Sequence, residues 1–189
     1  RGLGDVYKRQ TLSALKGFEM INNKDDYLHT LIESYRIFAS DRDNITYDYQ
    51  GNDQKFLGTD NQYIRDKVTL FDKNAAGKYN FPNPHGGGTA YMTAVDENGL
   101  GVSLIQSNFY GIGSRIGVGS YGFFLHNRGC GFNLIQGHPN SLGPNKKPLH
   151  TLSPTIWSKD GSLDFITGTR GGRYQPQLLA QTILPYILG

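Results

Sequence analysis

The sequence predicts an α+β layered fold, on three observations. Tyr27–Asp41 places Leu28, Leu31, Ile32, Tyr35, Phe38 and Ala39 at helical spacing, the clearest amphipathic helix in the chain. From Thr89 the period becomes that of strands. Two β-rich runs, Thr89–Val95 and Leu100–Gln106, flank the hairpin signal Asp96-Glu97-Asn98-Gly99. A second helical stretch, Gln175–Leu184, follows, with Pro176 in its first turn and Pro185 near its stop. Helices before and after a block of antiparallel strands must cover its faces, which is what makes the layers.

The remaining elements fit this frame. Arg1–Gln10 carries no helical or strand period and resembles a translated cloning scar, so it is set outside the fold. Thr11–Ile21 has apolar residues at Leu12, Leu15, Phe18 and Met20, a short helix that Gly17 weakens. Asn22–Asp26 is a polar break. The run Asp41-Arg42-Asp43 ends the amphipathic helix and reads as a solvated end or as structural ion pairs rather than as a catalytic group. Gly51–Gly77 is polar, with a possible helix over Asn61–Phe71, and Phe81–Gly88 is extended and loop-like because of its prolines and glycines. Gly122–Asn127 is a third short apolar run. Thr151–Ser158 and Leu163–Thr167 flank Lys159-Asp160-Gly161 as a second hairpin.

Composition excludes several classes of function. A hydrophobic content of 37% is too high for a disordered tail. The net charge of +3 comes without a basic cluster interleaved with aromatics, which argues against nucleic acid. No apolar run approaches the ~20 residues that span a bilayer. One cysteine, Cys130, excludes an internal disulfide framework and leaves the compartment open; between two glycines it reads as a small turn residue or a reactive thiol. His126, His138 and His150 lack metal-ligand spacing, and no metal or cofactor is expected. Of the 25 glycines, 18 lie between Gly86 and Gly172, a region therefore built from tight turns and close backbone approach.

That region opens with His85-Gly86-Gly87-Gly88-Thr89. A phosphate cradle is a poor reading, because no Lys-Ser/Thr follows and no strand precedes it. On its own the run could be a flexible turn. If the Gly88–Thr89 bond is cut, however, Thr89 gains a free α-amine beside its hydroxyl. An amine with a pKa near ~7.7–8.0 can take that hydroxyl's proton at neutral pH, so one residue carries nucleophile and base.

Several ordered motifs surround this junction: TAYMTAVDENGLGVSLIQSN, GFFLHNRGCGF, GHPNSLGPNKKPLHTLSPTIWSKDG and TGTRGG, with HTLIESYRIFASDRD upstream. Together they resemble the γ-glutamyltransferase (glutathione hydrolase) family over most of residues 11–189. The resemblance implies a precursor that cuts itself before a threonine, both pieces staying together in a four-layer αββα sandwich of the N-terminal nucleophile hydrolase type, incomplete here. The cut would fall at Gly88–Thr89, making 11–88 the end of the large subunit and 89–189 a truncated small subunit. It further implies transfer of a γ-glutamyl-type acyl group, as from glutathione, to water or to an amino acid or peptide. By the same resemblance Thr89 is the nucleophile, and Ser107 stands where a second threonine often supports it. Gly171 and Gly172 match the pair whose N–H groups form the oxyanion hole, where a side chain would obstruct the donors. Asn108 falls within one residue of a substrate-binding asparagine.

The chain also departs from that pattern. His126-Asn127-Arg128-Gly129-Cys130-Gly131 stands where the family has two asparagines, a glutamine and an acidic pair. Gly131 thus replaces the acid that holds an α-ammonium, and Arg128 replaces the glutamine. His150-Thr151 replaces a serine pair. These positions (Asn127, Arg128, His150 and Thr151) are the expected substrate-binding set. Arg128 suits an acyl group carrying a carboxylate, as in related acylases, or is an ordinary ion-pair residue. An acylase for dicarboxylic or other amides, and an uncut binding member without activity, are the alternative functions.

Overall fold

The computed structural model describes residues 4–21, 26–42, 47–48, 60–79 and 88–188. The loop expected at residues 81–87, including His85, Gly86 and Gly87, lies outside them, as does Asp43. The order of elements is α1 (Gly4–Ile21), α2 (Tyr27–Ala39), α3 (Asn61–Val68), β1 (Thr89–Val95), β2 (Gly101–Ser107), β3 (Thr155–Lys159), β4 (Ser162–Thr167) and α4 (Gln175–Leu188). Helices thus precede and follow antiparallel strands, a mixed α/β architecture.

The helices share one core. Leu15 and Phe18 of α1, Leu31 of α2, and Ala180 and Leu184 of α4 pack together, with Trp157 of β3 against them. Ala14, Phe38 and Ile64 join α1, α2 and α3 in a second cluster. Each fully buried large side chain, such as Phe38 or Ile64, contributes ~1.5–3 kcal/mol. Gly17 is explained here: a Cβ at that position would enter the Phe38 ring, so the residue that weakens α1 also lets α2 approach. Asp26 and Asp60 cap α2 and α3, accepting from the amides of His29 (2.9 Å) and Tyr63 (2.8 Å).

Several elements differ from the sequence expectation; β3, for one, begins at Thr155 rather than Thr151, and α3 ends at Val68 rather than Phe71. The α1 helix begins at Gly4, within the segment set outside the fold. Once residues from Thr11 onward are packed, helix propagates upstream at little cost, because the nucleus is already formed. The α4 helix runs through Pro185 to Leu188 instead of stopping there. The buried face of Leu179, Ala180, Ile183 and Leu184 holds it, and Pro185 removes a single hydrogen bond near the end. The apolar run Gly122–Asn127 forms no strand, only an isolated bridge between Gly117 and Phe124. Strand β2 opens at Gly101, because Leu100 is used in the turn, where its amide donates to Asp96 Oδ1 (2.8 Å) and its carbonyl accepts from the Asp96 amide (3.1 Å).

The strands form two separate hairpins, β1–β2 and β3–β4. Asp160 (φ 52°) and Gly161 (φ 81°) make the left-handed two-residue turn that a tight hairpin requires. The hairpins meet where Gly101 abuts Ile166 and Leu163, and where Gly168 lies beneath the Tyr91 ring. No helix among the described residues is long and apolar enough to cross a membrane.

Candidate functional site

The β1–β2 register pairs Thr89 directly with Ser107. Period-two alternation then puts both on the half-buried face, with Tyr91, Ser103 and Ile105, while Val102 and Leu104 point out. Thr89 Oγ1 donates to Ser107 Oγ at 3.0 Å. Ser107 Oγ in turn donates to the Gly88 carbonyl at 3.3 Å and accepts from the Phe109 amide at 3.0 Å. One hydroxyl therefore touches the Thr89 hydroxyl and the carbonyl of the peptide bond before it. Gly88 has a steric reason: a Cβ there would lie 2.7 Å from the Gly111 carbonyl oxygen.

Phe109 follows at φ 79°, an unusual left-handed conformation for a bulky residue. It joins two parts of the site. Its amide holds Ser107, and its ring lies 4.8 Å beneath the Arg128 guanidinium. Arg128 is only 7% exposed, and its Nη1 donates to Thr151 Oγ1 at 3.4 Å. His150 lies alongside: burial, and then the Arg128 charge, push its pKa below the ordinary 6.5. Its Nδ1 is buried without a hydrogen-bond partner among the described residues. Folding thus favours the neutral imidazole, while the unfolded chain protonates below about pH 6.5. Stability is therefore full above that value and falls as the pH drops beneath it. Urea midpoints at about pH 7.5 and about pH 5.5 should show this loss in the wild type and a smaller one in His150→Gln.

Asn127 is engaged by the backbone. It accepts from the Tyr110 amide (2.9 Å) and donates to the carbonyls of Tyr110 (3.2 Å) and Gly113 (3.0 Å). Its own amide donates to the Asn108 carbonyl at 3.1 Å. Asn127 is thus a pin for the loop after β2 and fixes Asn108 and Phe109. Gly131 packs on Leu149, where a Cβ would lie 3.2 Å from the Leu149 carbonyl oxygen and Cβ. The acid of the expected pattern is missing, and little room is left for it.

Gly171 (φ 127°) and Gly172 (φ 53°) form the turn into α4, with Gly172–Tyr174 as a 3-10 turn. Both dihedrals favour glycine. No acceptor meets either glycine amide among the described residues, and the helix that follows adds its positive end. Gln175, the first residue of α4, is fully buried and accepts from the Ser153 amide at 3.2 Å, fixing the strand entry next to Thr151. Among the described residues no hydrogen bond joins Thr89 to the glycine turn; the strand that carries Thr89 meets the segment before that turn where the Tyr91 ring covers Gly168.

Sequence reasoning missed Phe109, Gly111 and Gln175. Gln175 had a signal as a polar residue opening an apolar helix. Phe109 had none, since its strained backbone runs against its residue type. Among the described residues no three His, Cys, Asp or Glu side chains gather as a metal site.

Comparison with known proteins adds context. A family model described as Gamma-glutamyltranspeptidase matches residues 3–188. The chain is 32% identical over 176 residues to the glutathione hydrolase-like YwrD proenzyme of Bacillus subtilis, covering 88% of this chain and 32% of that protein. It is 38% identical over 111 residues to the oxamate amidohydrolase proenzyme of Klebsiella pneumoniae, covering 56% of this chain and 21% of that one. A solved gamma-glutamyltranspeptidase from Pseudomonas nitroreducens overlays 49% of this chain and 53% of its own, at 25% identity and a TM-score of 0.45. The matches thus span about a third or less of these curated relatives' length.

Proposed function

Because the chain belongs to the gamma-glutamyltranspeptidase family, we propose that it is part of a self-cleaving amidohydrolase or acyltransferase whose nucleophile is Thr89. The hydrogen-bonded series Thr89 Oγ1, Ser107 Oγ, Gly88 O is the observation that carries this reading. In the uncut chain, Thr89 Oγ1 attacks the Gly88 carbonyl carbon while Ser107 donates to that carbonyl's oxygen. The C–N bond breaks, the nitrogen takes the proton, and water hydrolyses the resulting ester. Gly88 becomes a carboxylate, and Thr89 is left with a free amine and its hydroxyl. That amine then takes the hydroxyl's proton as Thr89 Oγ1 attacks the substrate amide carbon. It passes the proton to the substrate nitrogen as the C–N bond breaks and the substrate's amine leaves. The acyl-threonine then gives its acyl group to water, an amino acid or a peptide, and Thr89 regains its hydroxyl.

Residues 11–88 and 89–189 are then parts of the large and small subunits. A four-layer αββα sandwich fits the outward apolar side chains of the first hairpin, Met92, Val102 and Leu104, all about half exposed. They suit a face that another layer covers. Gly171 and Gly172 supply the oxyanion donors.

The acyl donor is a γ-glutamyl-type amide or, in a second reading, the amide of a dicarboxylic acid without an α-ammonium. Two observations favour the second: the buried Arg128 beside His150, and the packing of Gly131 on Leu149 where the ammonium-binding acid would stand. An oxamate amidohydrolase among the relatives agrees in kind. Intact mass of the full-length precursor after purification tests the reaction class. Two fragments separated at Gly88–Thr89 are expected. A single uncut chain without turnover would leave the binding-protein alternative instead.

A further inference from the structure

One residue of the charged run after α2 is buried, not solvated as a helix end would be. Arg42 is 3% exposed. Its Nη1 donates to the Arg173 carbonyl at 3.1 Å, and its Nη2 donates to Tyr35 Oη at 2.9 Å. Tyr35 Oη donates to the same Arg173 carbonyl, also at 3.1 Å. Two side chains, one in α2 and one just beyond it, thus close a triangle on one backbone oxygen of the glycine turn.

The connectivity beyond that oxygen is specific. The Arg173 carbonyl shares a peptide unit with the Tyr174 amide, and this amide donates to the Gly171 carbonyl at 2.9 Å. The Gly171 carbonyl shares its peptide unit with the Gly172 amide. A cation on the first oxygen therefore polarises a series of peptide dipoles that ends on the Gly172 N–H. It also fixes a turn whose two glycines, at φ 127° and 53°, have little steric restraint of their own.

We infer that Arg42 and Tyr35 are a positioning pair that fixes the Gly171–Gly172 turn and polarises the Gly172 amide, making oxyanion stabilisation in the small subunit depend on a helix of the large one. This rests on the amidohydrolase reading. Preorganised donors carry much of an acyl-transfer barrier, and a small misplacement of them is felt in the chemical step rather than in substrate binding.

The test uses the full-length precursor with Arg42→Lys and, as the milder change, Tyr35→Phe. Both should still cleave at Gly88–Thr89. For glutaryl anilide, kcat should fall ~10- to 100-fold in Arg42→Lys and by a smaller factor in Tyr35→Phe, with KM within about twofold. Affinity for 4-boronobutanoic acid, which forms a tetrahedral oxyanion on a hydroxyl nucleophile, should fall with kcat. A purely structural pair would lower the melting temperature and leave kcat of the folded enzyme and boronate affinity unchanged, overturning the inference. Loss of self-cleavage in Tyr35→Phe would place the pair in folding and also overturn it. A wild type that neither cleaves nor turns over would remove the amidohydrolase reading, and the inference with it. Normal wild-type turnover with unaltered variants removes the inference alone.

Discussion

Thr89→Ala should leave the precursor as one uncut chain and lower amide turnover by roughly 10^5- to 10^6-fold, the scale seen when a covalent nucleophile is removed. The change is small sterically, since Thr89 is only half-buried at the start of β1. It removes the atom that reaches both Ser107 and, through it, the Gly88 carbonyl. Thr89→Ser keeps the hydroxyl and the prospective amine, so it should still cleave, more slowly, because serine lacks the methyl group that restricts χ1. Ser107→Ala should fall between them, with turnover reduced ~10- to 100-fold, as for loss of one polar partner in a preorganised site. It leaves the nucleophile in place and removes its acceptor and the donor to Gly88. Mass spectrometry over time measures cleavage, and anilide release measures turnover. Self-cleavage by Thr89→Ala at the same bond would assign the nucleophile elsewhere.

The first hairpin was legible from sequence, because Asp96–Gly99 is a local turn signal. Its register was not: strands at Thr89–Val95 and Leu100–Gln106 would set Thr89 opposite Gln106, and the use of Leu100 in the turn moves Ser107 into that place. The amphipathic α2 was legible for the same kind of reason, since its period is local. Long-range contacts follow different rules. Arg42 and Arg173 are 131 positions apart, and neither residue's surroundings in the chain suggest the other. The helical start at Gly4 and the passage of α4 through Pro185 were hidden too, because packing against a shared core decided both over local propensity. Asn127 shows a further limit. Residue type and motif position suggested substrate binding, yet all three side-chain hydrogen bonds go to the loop of Tyr110–Gly113.

Arg128→Gln should restore the residue type of the resembled family and remove the site's preference for a carboxylate-bearing acyl group. A charge-assisted hydrogen bond is worth ~1.5–3 kcal/mol, which corresponds to roughly 10- to 150-fold in kcat/KM. The guanidinium is buried between the Phe109 ring and Thr151, so bulk water screens it weakly. For glutaryl anilide, kcat/KM should therefore fall by that factor. For the uncharged pentanoyl anilide, which offers no carboxylate, it should change little. Taking the ratio of the two cancels any loss of packing or of folded enzyme. The wild type should also prefer glutaryl over γ-glutamyl anilide, because an α-ammonium would approach Arg128 and find no acid at Gly131. Arg128→Lys should not rescue the ratio, since a lysine keeps the charge but loses the planar stacking on Phe109 and the forked donors. Equal loss on both anilides would make Arg128 a structural residue of the Phe109 loop. A γ-glutamyl preference in the wild type would return the site to the usual specificity of the resembled family.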